Sequence, residues 1–368
     1  MRYSIGAYDR FNFGDLLFPH AIDRYSPEPV SHISTTRVDL SERGGVKTVA
    51  VQDVVLSPGD SLIVGGGDVL SASWLGAWWH LQSEKVDFVA RAANRLLPQP
   101  VMNEMARRAL SGSWPLPFVP PPDICSATAV AYSSVSGSHI HALDRREIEY
   151  LRSAMQAARY ISVRDRETQA ILATIGVDAA LAPDSVAVFG LHTPPTERLP
   201  RTFVLQASDQ WVRPRVHELV NAINELAAEG WRVEFLSIGQ VAGHSDAKAL
   251  DRLRRAGARV TANDASSVSE IWEVIRNATT FSGSSLHGHI VSIANETPCV
   301  ALGGVKKLED YARTWSPDVV DVCTDVATLP MMVKQARSRP NDLRSEARLR
   351  AANSARLNLE SMMEAVAF

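Results

Sequence analysis

Cysteine, net charge and long apolar runs are all in short supply in this chain, and each shortage argues against a class of protein. Three cysteines in 368 residues, Cys125, Cys299 and Cys323, lie far apart and in no Cys-x-x-Cys spacing. That argues against a disulfide framework or a zinc ribbon and fits a reducing compartment. A net charge of −3 supplies no bulk attraction to nucleic acid. No uncharged apolar run reaches the roughly 18–20 residues of a membrane span, and Met1–Phe11 lacks the apolar core of a signal peptide. A cytoplasmic protein is the expectation. Short repeats and low-complexity tracts are missing as well.

What the chain does have is alternation of strand-like and helix-like segments. Arg2–Tyr8 alternates and then meets a loop, Ser61–Val64 is an apolar strand running into three glycines, and Ala127–Val135, Tyr160–Asp165 and Ala179–Phe189 read as further strands. Helical stretches such as Asp144–Arg159 and Arg166–Gly176 lie between them. After a Pro-rich linker, Gly190–Pro200, a second series begins with the strand Thr202–Ser208 and an amphipathic helix ending at Gly230. Strands alternating with helices imply βαβ units and mostly parallel sheets. The length suggests about two domains. The expected division is an N-terminal α/β domain at 1–192, a C-terminal α/β domain at 201–340, and a long final helix at 341–368 packing back on the first domain. Ligands of such sheets bind beyond the carboxyl ends of the strands, so a cleft between two α/β domains is expected.

Several strand ends carry residues suited to chemistry. Asn12, Gly14 and Asp15 stand between the first strand and first helix. Asp15 reads either as an N-terminal helix residue favoured by the dipole or as a cleft carboxylate able to take a proton from a hydroxyl. Gly65, Gly66, Gly67 and Asp68 follow a strand, but in neither the GxGxxG nor the GxxxxGK[ST] pattern, so they read as a tight turn or as the lining of a substrate cleft. Arg164 can grip a carboxylate or phosphate in bidentate fashion, or pair with Asp165 at the next helix. Asp184 reads as a turn cap or a strand-end carboxylate. Trp74, Trp78 and Trp79 follow the glycines, and Trp74 and Trp78 share a helical face as core or as a platform for a sugar ring. Arg344, Arg348 and Arg350 read as a solvated face or a contact to anionic lipid.

Ser284-Ser285-Leu286-His287-Gly288 is the sharpest of these stretches. It falls between a strand and a helix, where unpaired backbone N–H groups and the positive dipole end favour an anion. Ser284 and Ser285 can cap the helix while His287 faces the cleft. The stretch is not a nucleophile elbow, because its G-x-S-x-G register fails. His287 and His289 diverge on a helix, so no metal centre is expected.

Taken in order, Asn12–Ile22, Val64–Leu70, Tyr160–Val177, Leu181–Val186, Phe281–Leu302 and Lys306–Tyr311 resemble the polysaccharide pyruvyl transferase family. The resemblance implies two Rossmann-like α/β domains facing a cleft in a GT-B-like arrangement. It implies phosphoenolpyruvate as donor, no further cofactor, and a sugar diol of a surface polysaccharide or its precursor as acceptor, joined as a pyruvate ketal. It places Arg164 on the donor, gripping from the first domain, with Ser284, Ser285, His287 and Gly288 on the donor in the second. His287 would be an anion ligand or general acid, Asp15 or Asp68 the acceptor-side base, and Asn12, Gly66, Gly67, Trp74 and Trp78 the acceptor surface. A lipid-linked acceptor would bring the protein to the inner face of the membrane. The family reads Ser-Arg-Leu-His-Gly where this chain has Ser285 in the arginine's place. Losing that guanidinium removes a charge-assisted pair worth roughly 1.5–3 kcal/mol unless another cation, Lys306 or Lys307, fills in. Two rivals stand beside this reading: a nucleotide-sugar-dependent GT-B glycosyltransferase, and a non-catalytic saccharide-binding descendant.

Overall fold

The computed structural model describes residues 1–82, 97–194, 196–239 and 246–367. The chain forms two compact units. The first comprises Met1–Ser185 together with the chain's end from Arg356, and the second comprises the described residues from Val186 to Ala355.

The first unit holds a seven-stranded sheet in the order β3-β2-β1-β4-β5-β6-β7. Its strands are β1 (Arg2–Ile5), β2 (Val30–Ser34), β3 (Thr48–Ala50), β4 (Ser61–Asp68), β5 (Ala129–Ser136), β6 (Tyr160–Val163) and β7 (Ala180–Leu181). Every pairing is parallel. Sheets of this kind are covered on both faces, which is why the strands read as continuous apolar runs. Ile5, Leu62, Val64, Val130 and Tyr132 are part of the resulting core. Strand order reverses between β1 and β4, so ligand-binding loops are expected at their carboxyl ends.

The second unit repeats the plan with six parallel strands in the order β10-β9-β8-β11-β12-β13. These are β8 (Thr202–Gln206), β9 (Arg232–Leu236), β10 (Thr261–Asn263), β11 (Thr280–Gly283), β12 (Cys299–Leu302) and β13 (Val320–Cys323). Its core gathers Phe203, Leu205, Val233, Phe235, Val300 and Leu302. Here the order reverses between β8 and β11, and the Ser284–Gly288 stretch leaves β11 at that point.

Three local expectations are revised. Gly65, Gly66 and Gly67 lie inside β4, not in a turn after it. Gly66 takes φ of 58°, and a side-chain carbon there would sit 2.1 Å from the Phe18 ring, so the glycine lets the first helix, Leu17–Tyr25, close on the strand. Ser185–Leu191 forms a 3-10 turn in place of a strand. A short apolar run does not distinguish the two by periodicity. The Pro-rich segment after it is tied to the second unit, with Arg198 donating to the Asn295 carbonyl at 2.8 Å and Leu199 N–H to that of Asn277 at 2.8 Å.

The last helix runs Asn341–Ala365 and buries Ala347, Ala351, Ala352, Ala355, Leu359 and Met362. Its arginines are not one solvated face. Arg344 is buried and donates to the Arg339 carbonyl and Asn341; Arg348 pairs with Glu296 at 2.8 Å; Arg350 alone of the three is exposed. No described helix is long and apolar enough to cross a membrane.

Candidate functional site

At the carboxyl end of β1, Asn12 Nδ2 donates to Asp15 Oδ2 at 2.8 Å, and both side chains are half-buried. Leu16 stands at the N-cap of the helix Leu17–Tyr25 with no side-chain cap bond, so Asp15 is not consumed as a cap. Gly67 brings the end of β4 alongside: a side-chain carbon there would lie 3.6 Å from Asp15 Oδ1. Asp68 closes the strand, and its Oδ1 accepts Ser138 N–H at 2.8 Å. The structure therefore gathers Asn12, Asp15, Gly66, Gly67 and Asp68 at the switch point of the first sheet.

Arg164 follows β6 and is 3% exposed. It donates through NH1 to Asp184 Oδ2 at 2.9 Å. Burial opposes its charge, but Asp184, Asp68 and Asp165 more than restore it, and its pKa is raised. Asp165 instead caps the helix Arg166–Thr174, accepting Thr168 N–H at 2.7 Å. Arg164 and Asp184 thus form a buried ion pair. Trp74 is fully buried, with Nε1 on the Trp114 carbonyl at 2.8 Å, so it belongs to the core and offers no sugar platform. Trp78 is half-buried against that core. A Ser4–His32–Asp23 chain of hydrogen bonds, at 2.8 and 3.2 Å, looks like a hydrolytic triad. Ser4 is completely buried, and the chain ties β1 to β2.

In the second unit, β11 ends at Gly283 and the helix Leu286–Ala294 begins. Ser285 is its N-cap, with Oγ accepting Gly288 N–H at 3.2 Å. Ser284 Oγ accepts Ser208 N–H at 3.3 Å. The N–H groups of Ser284 and Ser285, expected to meet an anion, both point at Gln206 Oε1, at 3.1 and 2.9 Å. Gly288, expected on the donor, is buried; a side-chain carbon there would lie 2.6 Å from the Phe281 ring. His287 stands half-buried in the first helical turn. His289 is buried, with Nδ1 on the Ser285 carbonyl at 2.8 Å, which places the proton on that nitrogen. Burial pushes its imidazole pKa down despite that bond, and it is a structural neighbour of the turn. Lys306 opens the helix Lys306–Trp315 beyond the adjacent strand β12 and is exposed.

Behind the turn lies a pair that sequence reasoning missed. Gln206 Nε2 donates to Asp246 Oδ2 at 3.0 Å, and the N–H groups of Ile238 and Gly239 reach the same oxygen at 2.9 and 3.0 Å. Burial pushes the Asp246 carboxyl up to about 6, against the pull of the Gly239, Gln206 and Ile238 donors. No motif marks either residue. The available signal was positional: Gln206 is a polar residue ending the apolar strand Thr202–Gln206.

Comparison with known proteins places this geometry. The chain is similar in structure to UDP-GlcNAc 2-epimerase from Methanocaldococcus jannaschii solved with UDP-GlcNAc and UDP, at 11% identity, TM-score 0.53 and coverage of 93% of this chain and 94% of that one. It is similar to an alpha-glucosyltransferase (AGT) solved with UDP, at 10% identity, TM-score 0.52, covering 96% and 94% of the two chains. It is similar to trehalose-6-phosphate synthase OtsA at 8% identity, TM-score 0.55, covering 99% and 97%. At such identities the likeness shows the fold, which is that of GT-B glycosyltransferases and epimerases. No curated protein matches the chain in sequence. The sequence model of the polysaccharide pyruvyl transferase family matches residues 125–304, just under half of the 368. That stretch holds Arg164, Asp184, Gln206, Asp246 and the whole Ser284–Gly288 turn; Asn12, Asp15, Asp68, Trp74, Trp78 and Lys306 lie outside it. Across residues 125–304 the chain is similar in sequence to the polysaccharide pyruvyl transferase family.

Proposed function

We propose that this protein transfers a pyruvyl group from phosphoenolpyruvate to two hydroxyls of a sugar, releasing phosphate and leaving a pyruvate ketal. The observation that carries the reading is His287. It lies within the family-matched stretch and stands half-buried in the first turn of a helix at the second sheet's switch point. A helix N-terminus favours the donor's negative charge, and a bound phosphate favours the protonated imidazole.

In the first step a proton adds to the methylene carbon of the enol phosphate, and the electron deficit moves to the carbon bearing the phosphate. A sugar hydroxyl bonds to that carbon and loses its proton. A second hydroxyl then attacks the same carbon, the carbon–oxygen bond to phosphate breaks, and phosphate leaves with the electron pair and a proton. His287 supplies the first proton, and Lys306 is the exposed cation for the donor's carboxylate or phosphate. On the acceptor side Asp15, oriented by Asn12, takes the hydroxyl proton, with Asp68 as the alternative base. The acceptor is a saccharide of a surface polysaccharide or its precursor; a lipid-linked one would draw the protein to the membrane surface.

The test is incubation with phosphoenolpyruvate and a panel of free, nucleotide-linked and lipid-linked sugars, following phosphate and the pyruvate mass increment. His287→Ala should lower phosphate release by about 100-fold or more, the range for loss of a general acid, with an unchanged melting temperature. Wild-type turnover in that variant would remove His287 from the mechanism. A second reading, a nucleotide-sugar transferase, draws on the UDP bound in two structural neighbours. Thermal protection by UDP-sugars but not by phosphoenolpyruvate would select it.

A further inference from the structure

We propose that Gln206 and Asp246 are positioning residues for the Ser284–His287 turn: the Gln206 carboxamide holds the two leading amides of the turn, and the Asp246 carboxylate fixes which way that carboxamide points. The catalytic consequence rests on the function proposed above; the geometric claim does not.

The direction of each bond follows from the groups involved. Backbone N–H groups only donate, so the Gln206 atom facing Ser284 and Ser285 is the carbonyl oxygen, at 3.1 and 2.9 Å. The amide nitrogen then points the other way, to Asp246 Oδ2 at 3.0 Å, an oxygen that also accepts from Ile238 and Gly239. A flipped Gln206 would set NH2 against two N–H donors and its oxygen against a carboxylate. Asp246 thus selects one of two amide orientations, and that orientation matches the turn.

The surroundings are shaped for this carboxamide. Gln206 is 4% exposed and Asp246 1% exposed. At Gly283, the last residue of β11, a side-chain carbon would lie 2.9 Å from Gln206 Oε1 and 3.2 Å from the Gln206 carbonyl. Three residues far apart in sequence therefore cooperate to seat one oxygen beneath the turn. Keeping a carboxylate this deep is unfavourable, as its raised pKa reflects.

The arrangement also alters what the turn offers a ligand. Ser284 N–H and Ser285 N–H go to Gln206, and Gly288 N–H goes to the Ser285 hydroxyl. The geometry that places His287, two residues beyond Ser285, is set from behind by Gln206.

Four variants test this: Gln206→Leu, Gln206→Glu, Asp246→Leu and Asp246→Asn. The readouts are the backbone amide NMR signals of Ser284, Ser285 and His287, and phosphate release from phosphoenolpyruvate. Asp246→Asn is the conservative rescue, because its Oδ1 can take the place of Oδ2 and accept the same three donors. It should keep the three amide signals and hold kcat within about threefold. Gln206→Leu and Asp246→Leu should shift the Ser284 and Ser285 signals and lower kcat at least tenfold. Gln206→Glu keeps the shape but sets one carboxylate against another, so its kcat should recover as pH falls and one proton is shared, a profile absent from wild type. It also keeps the proposal testable if the leucine variants do not fold. Unmoved Ser284 and Ser285 signals in Gln206→Leu, or equal damage from Asp246→Asn and Asp246→Leu, would overturn the proposal. If wild type releases no phosphate from phosphoenolpyruvate, the donor assignment fails, while the amide signals still decide the clamp.

Discussion

The Ser285 hydroxyl caps a helix at the position where the resemblance to polysaccharide pyruvyl transferases implies a guanidinium. An arginine there would forgo the bond to Gly288 N–H and place a cation beside the first turn. The two effects oppose each other in different measurements. Losing a serine N-cap costs about 1 kcal/mol of stability. A new charge-assisted contact to a phosphate or carboxylate is worth roughly 1.5–3 kcal/mol of binding, which converts to about 10–100-fold. Ser285→Arg should therefore unfold at lower urea than wild type while binding phosphoenolpyruvate at least tenfold more tightly by calorimetry. If affinity stays flat as stability falls, the donor phosphate is not near residue 285.

At the scale of elements, the β8–β11 junction joins a buried carboxyl to a helix start, and this makes stability pH-dependent. Burial raises the Asp246 pKa to about 6 in the folded protein, against about 3.9 in an unfolded chain. Between those values the folded state holds more protons, so the stability this group confers is complete below about pH 4 and lost as pH rises through about 6. Asp246→Asn has no such titration. Urea unfolding of both proteins at pH 5 and pH 8 should show the variant gaining roughly 1–2 kcal/mol on wild type at the higher pH; a constant difference would mean Asp246 does not titrate in that range. Strands and helices of this unit were legible from alternation, as with the strand read at Thr202–Ser208, which forms β8 over Thr202–Gln206. The hydrogen-bond partners of the turn were not. Gln206 reaches Ser285 across 79 residues of sequence, and side-chain alternation within a strand says nothing of which neighbouring strand lies alongside. The same limit hid the β5 bulge, where Ser134 adopts φ of 50° and donates to the Pro183 carbonyl at 2.7 Å. Trp74 was ambiguous for a different reason: helical spacing shows which residues share a face, not whether that face is covered.

At the scale of the whole molecule, the first unit is discontinuous in sequence, because the chain returns to it at Arg356 after completing the second. Asn358 Nδ2 donates to Ser134 Oγ at 3.2 Å in the β5 bulge, and Asn358 Oδ1 accepts Tyr160 OH at 2.8 Å at the start of β6. Leu359, Met362, Met363 and Val366 are buried along the same final turns. At roughly 1.5–3 kcal/mol for each buried apolar side chain, these four contribute on the order of 6–12 kcal/mol, an upper estimate. A domain's net stability is itself only about 5–15 kcal/mol. Residues 1–185 expressed alone should therefore lack a cooperative thermal transition by circular dichroism, despite containing all seven strands of the first sheet. A sharp native-like melt of that fragment would show that the returning helix end adds little, and would contradict the burial argument directly.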